Sequence, residues 1–280
     1  MQCYLDSGIS WPRSDRRKVP WRPRHARKLP RGLSRPFPCA GYSRPQVIFR
    51  SAGMIPKTIH YCWFGGAPKS ALIEQCMASW SRHLPDYEIV EWNEQRFDVE
   101  ANLYVRQAYN ARKWAFVSDY VRLHAIATQG GIYLDTDVEV FRSFDRFLGH
   151  RAFTGFENFK GALSPITAVM GAEKDHPWIR ELLGEYDEAA FLSSKDGSAS
   201  LYTNTRRITA NLIERHGVRL DDIEQVVGDD LHIYPTHTFC NYRPGSYSMH
   251  HFNGSWIPWQ YKLRAWVKQQ LLTPVRLFKS

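Results

Sequence analysis

The chain has 280 residues, of which 43% are hydrophobic and 14% aromatic, and its formal net charge is +9. This composition indicates a globular chain long enough for one α/β domain with an appendage. No apolar run approaches the ~18 residues that a membrane-spanning helix requires, so the sequence offers no candidate for one.

The positive charge is confined to a head of 53 residues. This head holds 12 of the 37 Lys and Arg residues and two acids, Asp6 and Asp15, whereas the remaining 227 residues carry 25 basic and 26 acidic side chains. Seven of the 16 prolines also lie in the head, which shows no strand or helix period, so we expect it to be disordered. A basic arm for nucleic acid or an anionic membrane is one interpretation, but a secretory signal would need a continuous apolar segment. The charge therefore does not indicate a nucleic-acid partner for the remaining chain.

The cysteines favour neither a disulfide framework nor a metal site. Outside the head, Cys62, Cys76 and Cys240 are scattered and odd in number, without the spacing of metal ligands. We therefore expect a reduced, cytoplasmic protein.

After the head, strand patterns alternate with helix patterns. An apolar run at residues 55–66 ends in two glycines, residues 70–83 have helical spacing, residues 87–92 alternate as a strand, and a second helical segment surrounds residues 105–109. Because alternating strands and helices form a mostly parallel sheet flanked by helices, we predict that α/β architecture. Ligands of such sheets bind beyond the carboxyl ends of the strands. Further strands are predicted at residues 153–157 and 166–170, and further helices at residues 176–186 and 206–216.

The most informative stretch is residues 113–140. Apolar residues recur at helical spacing up to a Gly-Gly stop, and a short apolar strand follows. On this helix Asp119 and Arg122 are three residues apart and share a face. After the strand, an extended chain would project Asp135 and Asp137 to the same side. Their charges repel there unless a divalent cation that prefers oxygen ligands lies between them.

The Ser-Asp-x-x-Arg helix at residues 118–122, the Gly-Gly stop and the Asp-x-Asp pair together resemble the DXD sugar transferases of glycosyltransferase family 32. The resemblance implies a GT-A-type fold, a nucleotide-sugar donor, and a manganese or magnesium ion held by Asp137 and the donor diphosphate, with Asp135 in support. It also implies a catalytic domain at residues 54–260, because Met54 opens a segment similar to the family's usual start. We therefore interpret residues 1–53 as translated from a misassigned start.

The resemblance assigns donor-binding roles around this motif. Trp63 matches an aromatic residue that stacks on the donor base, and this match favours a UDP-sugar. Asp119 and Arg122 would hold the sugar through its hydroxyls, with Ser118 and Tyr133 as further donor contacts. The simpler interpretation of the Asp119–Arg122 pair is an ion pair on the helix surface, worth under ~1 kcal/mol.

A second cluster, at residues 250–259, resembles the closing motif of related retaining transferases, in which a His completes the metal shell. His251 has the better spacing for that ligand, and His250 stays an alternative. Ile257 replaces the Lys of that motif, whereas the pair Ser255-Trp256 is similar to residues that contact the diphosphate in family 32. The resemblance implies transfer with retention at the anomeric carbon.

The residues that would contact the acceptor are less specific. Asn204, Asp229 and Asp230 are candidates, with a surface turn or a helix cap as the alternative for each. Beyond Asp230 the chain has no acid, and residues 261–280 form a basic amphipathic tail. That tail would either rest on the inner face of an anionic membrane or pack on the domain as a terminal helix.

We therefore predict a metal-dependent, retaining hexosyltransferase that uses a nucleotide sugar and a saccharide or lipid-linked saccharide acceptor in the synthesis of surface polysaccharide such as capsule. Two alternatives belong to other classes. An aspartate-nucleophile phosphatase would attack phosphorus with Asp135 and use Asp229 and Asp230 in a second acidic loop. A non-catalytic sugar-binding module would keep the shape of the site without turnover, although the intact carboxylates and His251 argue against it.

Overall fold

The computed structural model describes residues 54–193, 204–228 and 230–253, which all lie within the compact unit Phe49–Trp256. The strands are β1 (Thr58–Cys62), β2 (Glu88–Trp92), β3 (Gly131–Leu134), β4 (Val138–Val140), β5 (Ala152–Phe159), β6 (Ala162–Pro165), β7 (Val169–Ala172), β8 (Gln225–Val227), β9 (Leu231–Tyr234) and β10 (Ser248–His250). The helices are α1 (Ala71–His83), α2 (Leu103–Asn110), α3 (Trp114–Gln129), α4 (Pro177–Gly184), α5 (Asn204–Glu214) and α6 (Thr236–Phe239). The predicted head at residues 1–53 and tail at residues 261–280 lie outside the described residues, so the division into head, domain and tail stays a prediction.

The central sheet has the strand order β2-β1-β3-β7-β5-β9-β8, and β6 pairs with β5 beside this path. Strands β2, β1, β3, β5 and β9 run in one direction, whereas β7, β8 and β6 run against them. Strand β10 pairs antiparallel with β4 in a separate two-stranded ribbon. The prediction of an α/β fold with a mostly parallel central sheet is confirmed.

Helices cover both faces of this sheet. In β3, Tyr133 packs into an apolar cluster with residues of α2, α3, α4 and α5, whereas Ile132 and Leu134 pack into a second cluster with residues of α1 and α6. This alternation is expected, because successive side chains of a strand point to opposite faces. The side chain of Tyr133 therefore points toward α3, on the side where the site is assembled.

Two glycines allow β3 to follow α3 directly. Gly130 and Gly131 have φ angles of +70° and +109°, which disfavour residues with a Cβ. A Cβ on Gly131 would also lie 2.8 Å from the carbonyl oxygen of Thr58 in the neighbouring β1. The Gly-Gly stop predicted from the sequence is thus required both by the turn and by the close approach of two strands.

The strand predicted at residues 166–170 is present only in part, because β7 begins at Val169. The backbone of Thr167 has a different partner: its carbonyl oxygen accepts a hydrogen bond of 2.8 Å from Nη1 of Arg122. Within the described ranges, no helix combines the length and the apolar character needed to cross a membrane.

Candidate functional site

The chain turns between the two acids of the Asp-x-Asp motif. The amide of Val138 donates to the carbonyl oxygen of Asp135 (3.0 Å), which closes a turn over Thr136 and Asp137 before β4 begins. The acids therefore do not follow the extended chain that the sequence predicted. The turn nevertheless brings them together, because one ligand atom from each lies within 4.8 Å of the other and of a ring nitrogen of His250.

His250 closes this cluster from the neighbouring strand. The antiparallel pairing of β10 with β4 sets His250 opposite Val138, and its Nε2 lies 3.3 Å from Oδ1 of Asp137. The other oxygen of Asp137, Oδ2, accepts a hydrogen bond of 2.9 Å from the amide of Asn253. Asp135, Asp137 and His250 thus offer two carboxylates and one imidazole at the carboxyl end of β3.

His251, the ring that the sequence favoured as a ligand, faces elsewhere. Its Nε2 lies 2.8 Å from Oε2 of Glu139, and that residue pairs with Met249 across the ribbon. Of the two histidines, the structure brings His250 to the acids, and His251 follows the end of β10 and contacts Glu139 instead. Which of them binds a metal stays a prediction, and the geometry favours His250.

The electrostatics of the cluster couple Asp137 to His250. Burial on its own would raise the pKa of the Asp137 carboxyl, but the hydrogen bond and charge of His250 bring that pKa below its usual value. Burial would likewise lower the pKa of His250, yet its hydrogen bond to Asp137 raises that pKa well above the usual value. Without a cation, the two side chains therefore form a partly buried ion pair.

Asp135 is held by groups behind it. The hydroxyl of Tyr133 donates to Oδ1 of Asp135 (2.9 Å), and Nη1 of Arg122 lies 3.3 Å from the same oxygen. The guanidinium of Arg122 also lies over the ring of Tyr133, 4.5 Å from the ring centre to Cζ. The position of Asp135 is thus fixed by a residue of its own strand and by one of α3.

Arg122 joins Asp135 to Asp119. Its Nη2 lies 3.2 Å from Oδ1 of Asp119, and its Nε donates to the carbonyl oxygen of Ser118 (3.2 Å). Asp119 and Arg122 are only 9% and 4% exposed, so they form a buried pair and not an ion pair on the helix surface. Their contacts described here are with protein groups, and the predicted contact with the sugar stays a prediction.

Asn204, one of the weak candidates from the sequence, lies next to this pair. Its amide donates to Oδ2 of Asp119 (3.2 Å), and its side-chain oxygen accepts from the hydroxyl of Tyr186 (3.3 Å). Burial raises the pKa of Asp119 to about 6, although Arg122 and the Asn204 amide act in the opposite direction. The side-chain Nδ2 of Asn204 is buried without a hydrogen-bond partner among the described residues.

Trp63 lies beyond the carboxyl end of its strand, as the acids do. It follows β1, which is the parallel neighbour of β3, and its Nε1 donates to the carbonyl oxygen of Ala67 (2.8 Å). The ammonium group of Lys69 lies 5.1 Å from the centre of its ring. Base stacking by Trp63 stays a prediction, as does donor contact by Ser118, whose hydroxyl donates to the carbonyl oxygen of Trp114 (3.0 Å).

Asp230 lies at the amino ends of the parallel strands, whereas Asp135 and Asp137 lie beyond the carboxyl end of β3. Through the pairings of β9 with β5, β5 with β7 and β7 with β3, Leu231 is level with Gly131 at the start of β3. Asp230 therefore precedes the strand residues at this level, whereas Asp135 follows the last residue of β3. Its carboxylate accepts from the amide of Arg151 (2.9 Å). This position gives no support to an acceptor contact by Asp230 beside Asp135, and that role stays a prediction.

The same separation argues against the phosphatase alternative, which needs Asp230 near Asp135.

The remaining predicted residues, Asp229, Ser255 and Trp256, lie outside the described residues, so their roles stay predictions.

Sequence reasoning did not single out Glu157 as a site residue. This residue is buried near the end of β5, and its Oε2 lies 3.8 Å from Nδ1 of His250. Cys240 also offers its sulfur within 4.8 Å of a ring nitrogen of His250 and an oxygen of Glu157. The one available signal was its position at the end of a predicted strand. That signal does not distinguish Glu157 from other residues at strand ends.

Residues 70–154 match the family described as the glycosyltransferase sugar-binding region containing DXD motif. Inositol phosphoceramide mannosyltransferase 3 of Schizosaccharomyces pombe is 27% identical over 162 residues, which cover 52% of this chain and 41% of that protein. The chain thus spans about two fifths of the length of this relative.

Two solved structures are similar at low identity. The PaToxG glycosyltransferase is 18% identical, with a TM-score of 0.42, and the match covers 58% of this chain and 70% of that one. A glycosyltransferase involved in the glycosylation of the major capsid of PBCV-1 is 12% identical, also with a TM-score of 0.42, over 74% of this chain and 99% of that one.

The matched residues 70–154 contain the helix with Asp119 and Arg122, the Gly-Gly stop, and both acids of the Asp-x-Asp turn. The resemblance to family 32 is therefore confirmed where its motifs are most specific. The chain is thus similar to the DXD glycosyltransferases over residues 70–154, which match their sugar-binding region.

Proposed function

We propose that this protein is a metal-dependent, retaining glycosyltransferase that moves a hexose from a nucleotide sugar to a saccharide or lipid-linked saccharide acceptor. The observation that carries the proposal is the convergence of Asp135, Asp137 and His250 within the DXD region, at the carboxyl edge of a mostly parallel sheet. Sheets of this kind bind their ligands beyond the carboxyl ends of the strands.

The donor set fits a divalent cation. Two carboxylates and one imidazole suit Mn²⁺, and carboxylates suit Mg²⁺. The ligand atoms lie within 4.8 Å of one another, close enough to share one ion. A cation held here would supply positive charge against the negative charge that develops on a departing diphosphate. Asp137 and His250 would hold it directly, with Asp135 as a further ligand.

The buried pair of α3 would support this site from behind. Arg122 bridges Asp119 and Asp135, so it fixes the carboxylate that would face the donor. Rigid placement of such groups contributes to catalysis, because misplacement by about 1 Å can cost roughly 10²-fold in rate. In this proposal Asp119 and Arg122 position Asp135. Their second predicted role is contact with the sugar hydroxyls.

The donor and acceptor follow from weaker observations. Trp63, at the edge that holds Asp135, supports stacking on a nucleotide base and with it a UDP-sugar. The name of the yeast relative gives mannose as the sugar and inositol phosphoceramide as the acceptor, which supports a hexose donor and a lipid-linked acceptor. Peripheral membrane contact through residues 261–280 and a role in capsule-type polysaccharide synthesis belong to the same proposal.

A panel of donors tests the proposal. UDP-glucose, UDP-galactose, UDP-N-acetylglucosamine and GDP-mannose are each added to the full chain with Mn²⁺, and the melting temperature and the slow hydrolysis of the donor are measured. One donor should raise the stability, by about 2.7 kcal/mol at 100 times its Kd, and should be hydrolysed only when metal is present. Donor binding without turnover would favour the sugar-binding module, and release of phosphate from a generic ester would favour the phosphatase.

A further inference from the structure

His250 lies between two carboxylates, one on each ring nitrogen. Its Nε2 lies 3.3 Å from Asp137, and its Nδ1 lies 3.8 Å from Oε2 of Glu157. The side chains of His250 and Glu157 are each 12% exposed, so water does not readily replace either neighbour. Two acids on opposite sides of one ring indicate different tasks for the two nitrogens.

The Nδ1 atom needs a partner. It is buried and has no hydrogen-bond partner among the described residues, and a buried unpaired donor costs about 1–3 kcal/mol. The oxygen of Glu157 would reach hydrogen-bonding distance after a shift of under about 1 Å. The other oxygen of Glu157 accepts a hydrogen bond from Ser164 (3.4 Å), which leaves Oε2 directed at the ring.

Cys240 is the weaker candidate for the same atom. A thiol sulfur is a poor acceptor, and burial raises the pKa of the Cys240 thiol, so it stays protonated. Glu157 is the neighbour with charge and acceptor capacity.

We propose that Glu157 is a positioning residue for His250: it accepts a hydrogen bond from Nδ1–H, which fixes the tautomer and directs Nε2 at Asp137 as a ligand for a divalent cation. This inference rests on the proposed function, because it needs the Asp135–Asp137–His250 cluster to bind metal. Histidine ligands generally donate their other ring N–H to a carboxylate, a backbone carbonyl or water, and loss of that partner typically weakens metal binding 10–100-fold.

The neighbouring pair of Glu139 and His251 supplies a matched control. It is also a Glu–His pair, with Nε2 of His251 2.8 Å from Oε2 of Glu139, but neither residue belongs to the Asp135–Asp137–His250 cluster. Replacement of Glu139 by Gln therefore tests whether the loss of any carboxylate near the ribbon weakens metal binding.

The test measures Mn²⁺ binding to the full chain by the loss of the free-ion EPR signal, without donor or turnover. Glu157→Gln should weaken Mn²⁺ binding about 10-fold or more, Glu139→Gln should change it less than about twofold, and His250→Ala should weaken it strongly. In the His250→Ala background, the further change Glu157→Gln should have almost no effect, because Glu157 acts only through His250. Equal losses in both backgrounds, or weaker binding from Glu139→Gln alone, would overturn the proposal.

A second measurement uses the native chain, so it does not depend on the folding of a Glu157 variant. ¹⁵N NMR of the chain with Mg²⁺, assigned by comparison with His250→Ala, should show the proton of His250 on Nδ1; a proton on Nε2 overturns the proposal. A chain that binds Mn²⁺ through His250 but transfers no sugar removes the proposed function and leaves this inference standing. A chain that transfers sugar without the Glu157–His250 coupling does the reverse.

Discussion

Arg122 of α3 and Asp135 at the end of β3 approach to 3.3 Å, and both side chains are largely shielded from water. The guanidinium also binds Asp119 and the carbonyl oxygen of Thr167, so one side chain ties the helix, the Asp-x-Asp turn and the segment before β7 together. Its planar fork can hold several acceptors at fixed angles, which an ammonium group cannot do.

The first prediction concerns this fork. Arg122→Lys keeps the charge but loses most of the hydrogen bonds, so we expect turnover to fall about 10²-fold and stability to fall by on the order of 1–3 kcal/mol. The control is Arg180→Lys, at an exposed Arg–Asp pair with Asp175 on the surface, where under ~1 kcal/mol is expected. Initial rates and urea unfolding measure both, and similar effects of the two variants would contradict the prediction.

The second prediction is that Asp137→Asn abolishes Mn²⁺-dependent turnover while the chain stays folded. The amide still accepts a hydrogen bond from the Asn253 amide, but it no longer supplies the negative charge that a cation requires. The measurement is the rate of donor hydrolysis over a range of Mn²⁺ concentrations, with circular dichroism as the check on folding. Native rates in this variant would remove Asp137 from the site.

The third prediction separates two adjacent histidines. His250→Ala should weaken Mn²⁺ binding by at least about 10-fold, whereas His251→Ala should leave it within about twofold, because only His250 faces the acids. Isothermal titration with Mn²⁺ measures both variants under the same conditions. The opposite order would restore His251 as the ligand that the sequence favoured.

Local signals in the sequence predicted the part of the site that local structure determines. The helix with Asp119 and Arg122, its Gly-Gly stop and the strand up to Leu134 follow from spacing within one stretch of chain. The turn at Asp135 was missed because carboxylate spacing carries no information on backbone direction.

Residues brought in from a distance could not be predicted in this way. The choice of His250 over His251 depends on the pairing of β10 with β4, and the remote position of Asp230 depends on the strand order. Burial of the Asp119–Arg122 pair likewise depends on packing between α3 and its neighbours. The sequence therefore could not decide between a buried pair and an ion pair on the helix surface.

The fourth prediction concerns pH. Burial raises the pKa of Asp119 from 3.8 to about 6 in the folded chain, so the folded state binds this proton more tightly than the unfolded state. Its contribution to stability is therefore favourable below about pH 4 and is lost as the pH rises through 6. Asp119→Asn carries a neutral group at every pH and lacks this dependence.

Unfolding in urea at pH 4.5 and pH 7.5 checks this prediction. The stability of Asp119→Asn relative to the native chain should increase with pH between these values, by on the order of 2 kcal/mol. The comparison between the two chains cancels the carboxylates that they share. A difference that does not change with pH would show that Arg122 and the Asn204 amide outweigh burial.

The fifth prediction is that transfer retains the configuration of the anomeric carbon. A double displacement would need a carboxylate free to attack from behind the sugar. The five described acids around the site already have partners: Arg122 and the Asn204 amide for Asp119, Arg122 and Tyr133 for Asp135, His250 for Asp137, His251 for Glu139, and Ser164 for Glu157. We therefore expect front-face substitution, in which the departing diphosphate helps to deprotonate the incoming hydroxyl.

The coupling constant of the product's anomeric proton, measured by NMR within the first turnovers, identifies the configuration before mutarotation or further reaction can change it. Glu157→Gln supplies the control for a hidden nucleophile. If Glu157 attacked the sugar, this variant would lose transfer at every Mn²⁺ concentration, whereas a positioning role predicts that saturating Mn²⁺ restores much of the rate. An inverted product would exclude front-face substitution and would require an acid that activates the acceptor from the opposite face of the sugar ring.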